Sequence, residues 1–109
     1  MTKSDILKTI SRIKHDKFHN LKMGLAGSYA RGDNKASSDI DIIVDTDLMP
    51  IADMEYIKSK FDGTDVDVLL LGLLKQEDEE MDSFFKEMGL PINNESVYKN
   101  VSKEVVWCE

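Results

Sequence analysis

Apolar residues at Ile6, Ile10 and Ile13 recur with the spacing of one helical face, and Ser4 can cap the start of that helix. Lys14, His15 and Lys17 suit the negative end of its dipole. At Leu21, Met23 and Leu25 the period changes to two, which predicts a strand. That run stops at Gly27-Ser28, a tight turn opening toward a short helix at Tyr29, Ala30 and Arg31. Alternation returns at Ile40, Ile42 and Val44. Asp39, Asp41, Ile43 and Asp45 fall between them, so this strand has one apolar face and one face carrying carboxylates.

Pro50 can occupy the first turn of a following helix with a buried stripe of Ile51, Met54, Ile57 and Phe61, ended by Gly63. Val66, Val68 and Leu70 form the apolar face of a third strand, with Asp65 and Asp67 on its other face. From about Gln76 to Met88 the pattern predicts a helix with acids in its first turns. Its core stripe is Met81, Phe84, Phe85 and Met88, part of which could stay exposed for a partner, and it stops at Gly89-Leu90-Pro91. From Ile92 to Glu109 the signal weakens, and Val97, Val101, Val105 and Trp107 read as an irregular or strand-like cover for the core. The order is that of an α+β fold, a small mixed β-sheet backed by helices with one open face.

Composition narrows the picture. A chain of 109 residues, 41% hydrophobic, supports one modest core, so 1–109 reads as a single domain. A formal net charge of -7 argues against a grip on long DNA or RNA. Cys108 stands alone, which excludes an internal disulfide or a thiol-rich zinc site and fits a reducing cytoplasm. No run approaches the roughly 20 apolar residues that span a bilayer, so a soluble, cytoplasmic protein without membrane association is expected.

Three features carry chemistry. Backbone N–H groups of the Gly27-Ser28 turn, with the serine hydroxyl, can converge on phosphate oxygens, glycine permitting close approach. Asp39 and Asp41, two apart on a strand, leave one face at roughly 7 Å between their Cβ atoms and can share cations. A pair of Mg²⁺ ions about 3.5 to 4 Å apart would activate an attacking oxygen and stabilise a leaving pyrophosphate. Asp67 supplies a third acid from the next strand, to bind metal or accept a proton, with Asp65 as its alternate. Each feature also has an ordinary use, as a loop conformer or a solvated strand face.

Together these residues read GLAGSYARGDNKASSDIDIIVD and, further on, TDVDVLL. In this the chain resembles the minimal nucleotidyltransferase family of the polymerase-β-like superfamily, whose pattern is Gly-Ser, Ala-Arg-Gly, Ser-Asp-x-Asp and a later apolar-Asp-apolar strand. Gly27, Ser28, Ala30, Arg31, Gly32, Ser38, Asp39, Asp41 and Asp67 match it, over Leu21 to Leu71. The resemblance implies a polymerase-β-like fold in which Gly27 and Ser28 hold the triphosphate of ATP. Asp39, Asp41 and Asp67 would form the catalytic, metal-binding triad for two Mg²⁺ ions, with Mn²⁺ as a substitute, and Arg31 would add charge near phosphate. Larger members use a second domain to hold the acceptor, so an acceptor site is expected from another protein. Minimal members commonly act as the antitoxin of a small helical HEPN ribonuclease toxin, which implies that this chain adenylylates such a partner.

Two other readings stay open: transfer to a small molecule such as an aminoglycoside, and a non-catalytic antitoxin that blocks its partner sterically. Three acids beside a phosphate turn weigh against the second, since gathered like charges destabilise a fold that holds no cations. His15 and His19 are expected at a helix end away from the acids, and the run from Gln76 to Glu80 as a solvated helix start.

Overall fold

The computed structural model describes residues 1–108; Glu109, the last residue of the expected tail, lies outside them. The chain runs α1 (Lys3–Lys17), β1 (Met23–Ala26), α2 (Gly27–Arg31), β2 (Ile40–Val44), α3 (Ile51–Lys58), β3 (Val66–Leu70), α4 (Leu71–Glu87), α5 (Val97–Glu104) and β4 (Val106–Cys108). Among the described residues the strands form one sheet in the order β3-β2-β1-β4. β2 and β3 are parallel, joined through α3, while β1 lies antiparallel to both β2 and β4. The architecture is α+β, a mixed sheet backed by helices, consistent with the polymerase-β-like nucleotidyltransferase fold.

α1 forms where its periodicity predicts and buries Ile6, Ile10 and Ile13. Its cap is Thr2 rather than Ser4: the Thr2 hydroxyl accepts from the Asp5 N–H while the Asp5 carboxylate accepts from the Thr2 N–H. These isoleucines meet Met23 and Leu25 of β1 and Ile40, Ile42 and Val44 of β2 in the main core, which Ile57 and Phe61 complete. Pro50 is the residue before α3 instead of lying in its first turn, and the helix stops at Lys58, before Gly63. Ile51, expected in the buried stripe, is 76% exposed, and Met49 fills the core ahead of it.

The second half departs further from its pattern. α4 starts at Leu71, directly after β3, so Gln76 to Glu80 sit well inside the helix and no acid lies in the first turn. This start sets the helix phase. Asp78 and Asp82 turn toward α5, where the Lys99 ammonium lies 3.7 Å from Asp78 and 3.0 Å from Asp82 and also donates to the Asn93 carbonyl. Met81, Phe84 and Met88 consequently face outward, with only Phe85 of the expected core stripe half-buried. The tail holds two regular elements: α5, capped by Ser96, and β4, which adds an edge strand to β1. Residue Gly24 makes that pairing possible, because a Cβ there would stand 2.6 Å from the Val106 carbonyl oxygen.

Candidate active site

β1 ends at Ala26, whose register partner on β2 is Asp41, and Asp41 is in turn paired with Asp67 on β3. Ala26, Asp41 and Asp67 therefore form one row across three strands, and residues in register share a sheet face. Ala26 is the small member of the row. The chain leaves β1 at Gly27, with φ +73°, in the left-handed region that glycine tolerates best. A Cβ at that position would run into the Asp41 carboxylate. Glycine is thus required twice, for its backbone angle and for letting the α2 turn lie against the acid.

An open cavity of about 600 Å³ sits over this row. The residues that the family resemblance assigns to phosphate or metal all line it: Gly27, Ser28, Arg31, Asp39, Asp41 and Asp67. Asp65 does not. Its backbone carbonyl accepts from the Ile40 N–H, fixing the start of the β2–β3 pairing, and its side chain stays exposed outside the cavity. His15 and His19 stack edge-on at 5.7 Å between ring centroids, near the end of α1, and are likewise absent from the cavity wall.

The face carrying the acids is less open than its alternating pattern predicts. Ile43 and Ala26 are buried beneath Val101 of α5 in a second small cluster flanked by Leu69, Leu71, Val105 and Trp107. Only the end of the face, at Asp41 and Asp67, remains polar. Asp41 is half-buried, and its carboxyl is pushed above the usual carboxylate range, first by desolvation and then by the charges of Asp67, Asp39 and Glu104, with Arg31 opposing. Among the described residues no three of the acids, histidines or cysteines converge tightly enough to form a ready metal cage. The donors are nevertheless hard oxygens, gathered where a cation would relieve their repulsion. Mg²⁺ is commonly held by one or two carboxylates plus substrate phosphates rather than by an all-protein cage, and this set fits that use.

Glu104 lines the same cavity, although no motif in the sequence marks it. Its carboxylate accepts from the Gly27 N–H at 3.1 Å through Oε1 and from the Arg31 guanidinium at 2.9 Å through Oε2. Arg31 also donates to Asp33 at 3.2 Å, and these two contacts raise the guanidinium further above its ordinary value, Glu104 more than Asp33. Asn100, Ser37 and Ser38 complete the polar wall. The signal for Glu104 was present: Ser96 as a cap and Val97, Val101 and Val105 at helical spacing would have set it one turn beyond the buried Val101.

A mixed sheet that brings a Gly-Ser turn against an acidic row is the arrangement of a nucleotidyltransferase domain. The sequence pattern of that family matches residues 6–107, and the chain belongs to it. A protein of Methanocaldococcus jannaschii, named "Putative protein adenylyltransferase", is 32% identical over 75 residues, which span 65% of this chain and 76% of that protein. Among the described residues, no helix is long and apolar enough to cross a membrane.

Proposed function

We propose that this nucleotidyltransferase moves AMP from ATP onto a hydroxyl of a partner protein. The observation that carries this reading is the single cavity lined by Gly27, Ser28, Asp39, Asp41 and Asp67. In the scheme, the Gly27-Ser28 turn and Arg31 receive the triphosphate, while Asp39 and Asp41, with Asp67, would hold two Mg²⁺ ions or Mn²⁺ in their place. Bound there, the cations would polarise the α-phosphate and neutralise the departing pyrophosphate. The acceptor oxygen bonds to the α-phosphorus, the bond to the β-phosphate bridge breaks, and pyrophosphate leaves. Asp67 either accepts the hydroxyl proton or completes the metal ligands.

A protein acceptor is favoured by the name of the archaeal relative. The resemblance to minimal nucleotidyltransferases supports a HEPN-type toxin as that acceptor, with this chain as its cytoplasmic antitoxin. A second reading is neutralisation by binding alone, for which the outward-facing Met81, Phe84 and Met88 of α4 offer an apolar contact surface. The product of the neighbouring gene, incubated with the protein, ATP and Mg²⁺, distinguishes them by intact-mass spectrometry. Gain of whole AMP units that requires Asp41 supports transfer. An unmodified partner in a stable complex supports binding alone.

A further inference from the structure

The two donors assigned above to the triphosphate are already engaged. Glu104 Oε1 takes the Gly27 amide at the start of α2, and Oε2 takes the Arg31 guanidinium at its end. We propose that Glu104 is a latch on the triphosphate site, an internal anion that a polyphosphate must displace in order to reach Gly27 and Arg31. This rests on the nucleotidyltransferase reading of the cavity and adds a means of regulating it.

The latch is held from both sides. Its carrier, α5, is pinned by buried Val101 and by Lys99 bonded to Asp82 and the Asn93 carbonyl. Beyond Glu104 the chain enters β4, paired to β1. The helix is therefore anchored, and rotation of the Glu104 side chain, 22% exposed, is the simplest way to free the donors. A carboxylate and a phosphate oxygen are both anionic acceptors, so they compete for the same N–H groups. Glu104 also sits among Asp39, Asp41 and Asp67 along the cavity, and two charge-assisted contacts offset that repulsion. A ligand arriving with divalent cations both fills the donors and neutralises the acids. Because the open state is only a fraction of the free protein, every ligand that needs these donors binds more weakly by that fraction.

Calorimetric titration of ATP and of inorganic tripolyphosphate, each with Mg²⁺, into the wild type, Glu104→Gln and Glu104→Asp tests this. Glutamine removes the charge, while aspartate keeps it on a side chain one methylene too short to span both donors. Both variants should bind both ligands about three- to tenfold more tightly, the size of a partly exposed charged contact. Tightening in Glu104→Gln alone would reveal a long-range charge effect and overturn the latch. Unchanged or weaker binding in both would overturn it too, assigning Glu104 to holding Arg31 in place. Binding by none of the three proteins would remove the nucleotidyltransferase reading, and the latch with it. In the wild type, saturating tripolyphosphate should shift the Gly27 amide resonance, and an unmoved resonance would also overturn the proposal.

Discussion

On the side of the sheet that meets α1, β2 contributes Ile40, Ile42 and Val44, all fully buried in the main core. On the opposite side the same strand contributes Asp41 and Ile43, one half-buried in a charged cavity and the other sealed under α5. A single strand of five residues thus supplies the core through one set of alternate positions and lines the candidate site through one position of the other. The lesson lies in the partial closure of the second face: α5 covers just enough of it to desolvate Asp41 while leaving the row's end open. A fully solvated aspartate would have little use for a cation, whereas a half-buried one among like charges has much to gain from it.

Four substitutions, removal of Mg²⁺ and a pH series test this contrast. Asp41→Asn should reduce nucleotidyl transfer by about a thousandfold, since metal-assisted charge stabilisation is worth several kcal/mol, while leaving the fold intact. Removing Mg²⁺ with chelator should mimic it in a radiolabelled ATP assay. Ile42→Ala, one residue away and facing the core, should instead lower unfolding free energy by about 2 to 5 kcal/mol in a denaturant titration. If the two variants had the same stability, the division of β2 into two duties would fail.

Gly27→Ala combines both faces of the problem. Its left-handed φ should cost about 1 to 2 kcal/mol of stability, and the added methyl should displace the Asp41 carboxylate and abolish Mg-ATP binding by calorimetry. Ser28→Ala should be milder, lowering catalytic efficiency at subsaturating ATP by roughly ten- to a hundredfold, the worth of one hydrogen bond to a charged group. Smallest is the pH effect in chelator. Asp41 has a raised folded pKa, so the native state binds the proton more tightly than the unfolded chain does. Its penalty is absent well below the ordinary aspartate value of 3.8 and grows as pH rises from there through the folded pKa. Melting curves of the wild type should therefore fall progressively below those of Asp41→Asn across that window, then run parallel at higher pH. A constant gap at every pH would mean that Asp41 carries no shifted proton.

Legibility differed between the two halves of the chain for physical reasons. In the first half, Ile6, Ile10 and Ile13 and then Ile40, Ile42 and Val44 bury what their periods say they bury, because one core takes them all. The residues singled out for phosphate and metal there lie close in sequence, and three-strand register brings Asp67 beside them. In the second half, α4 anchors through Leu71 at the end of β3 and through the Asp78 and Asp82 contacts to Lys99, so an apolar stripe no longer marks the inward face. Periodicity measures amphipathicity and does not say which side finds a partner. The same uncertainty about the tail hid α5, and with it the Glu104 carboxylate that accepts from the Gly27 N–H.

Calorimetric titration of ATP into the wild type with and without Mg²⁺, beside Asp41→Asn, decides whether the acidic row beneath the Gly27 turn is a nucleotide-metal site. Saturable heat should appear for the wild type with both ligands, be much weaker when either is withheld, and be lost in Asp41→Asn. Absence of heat from the wild type with every pairing of nucleoside triphosphate and Mg²⁺ or Mn²⁺, or equal heat from Asp41→Asn, would contradict it.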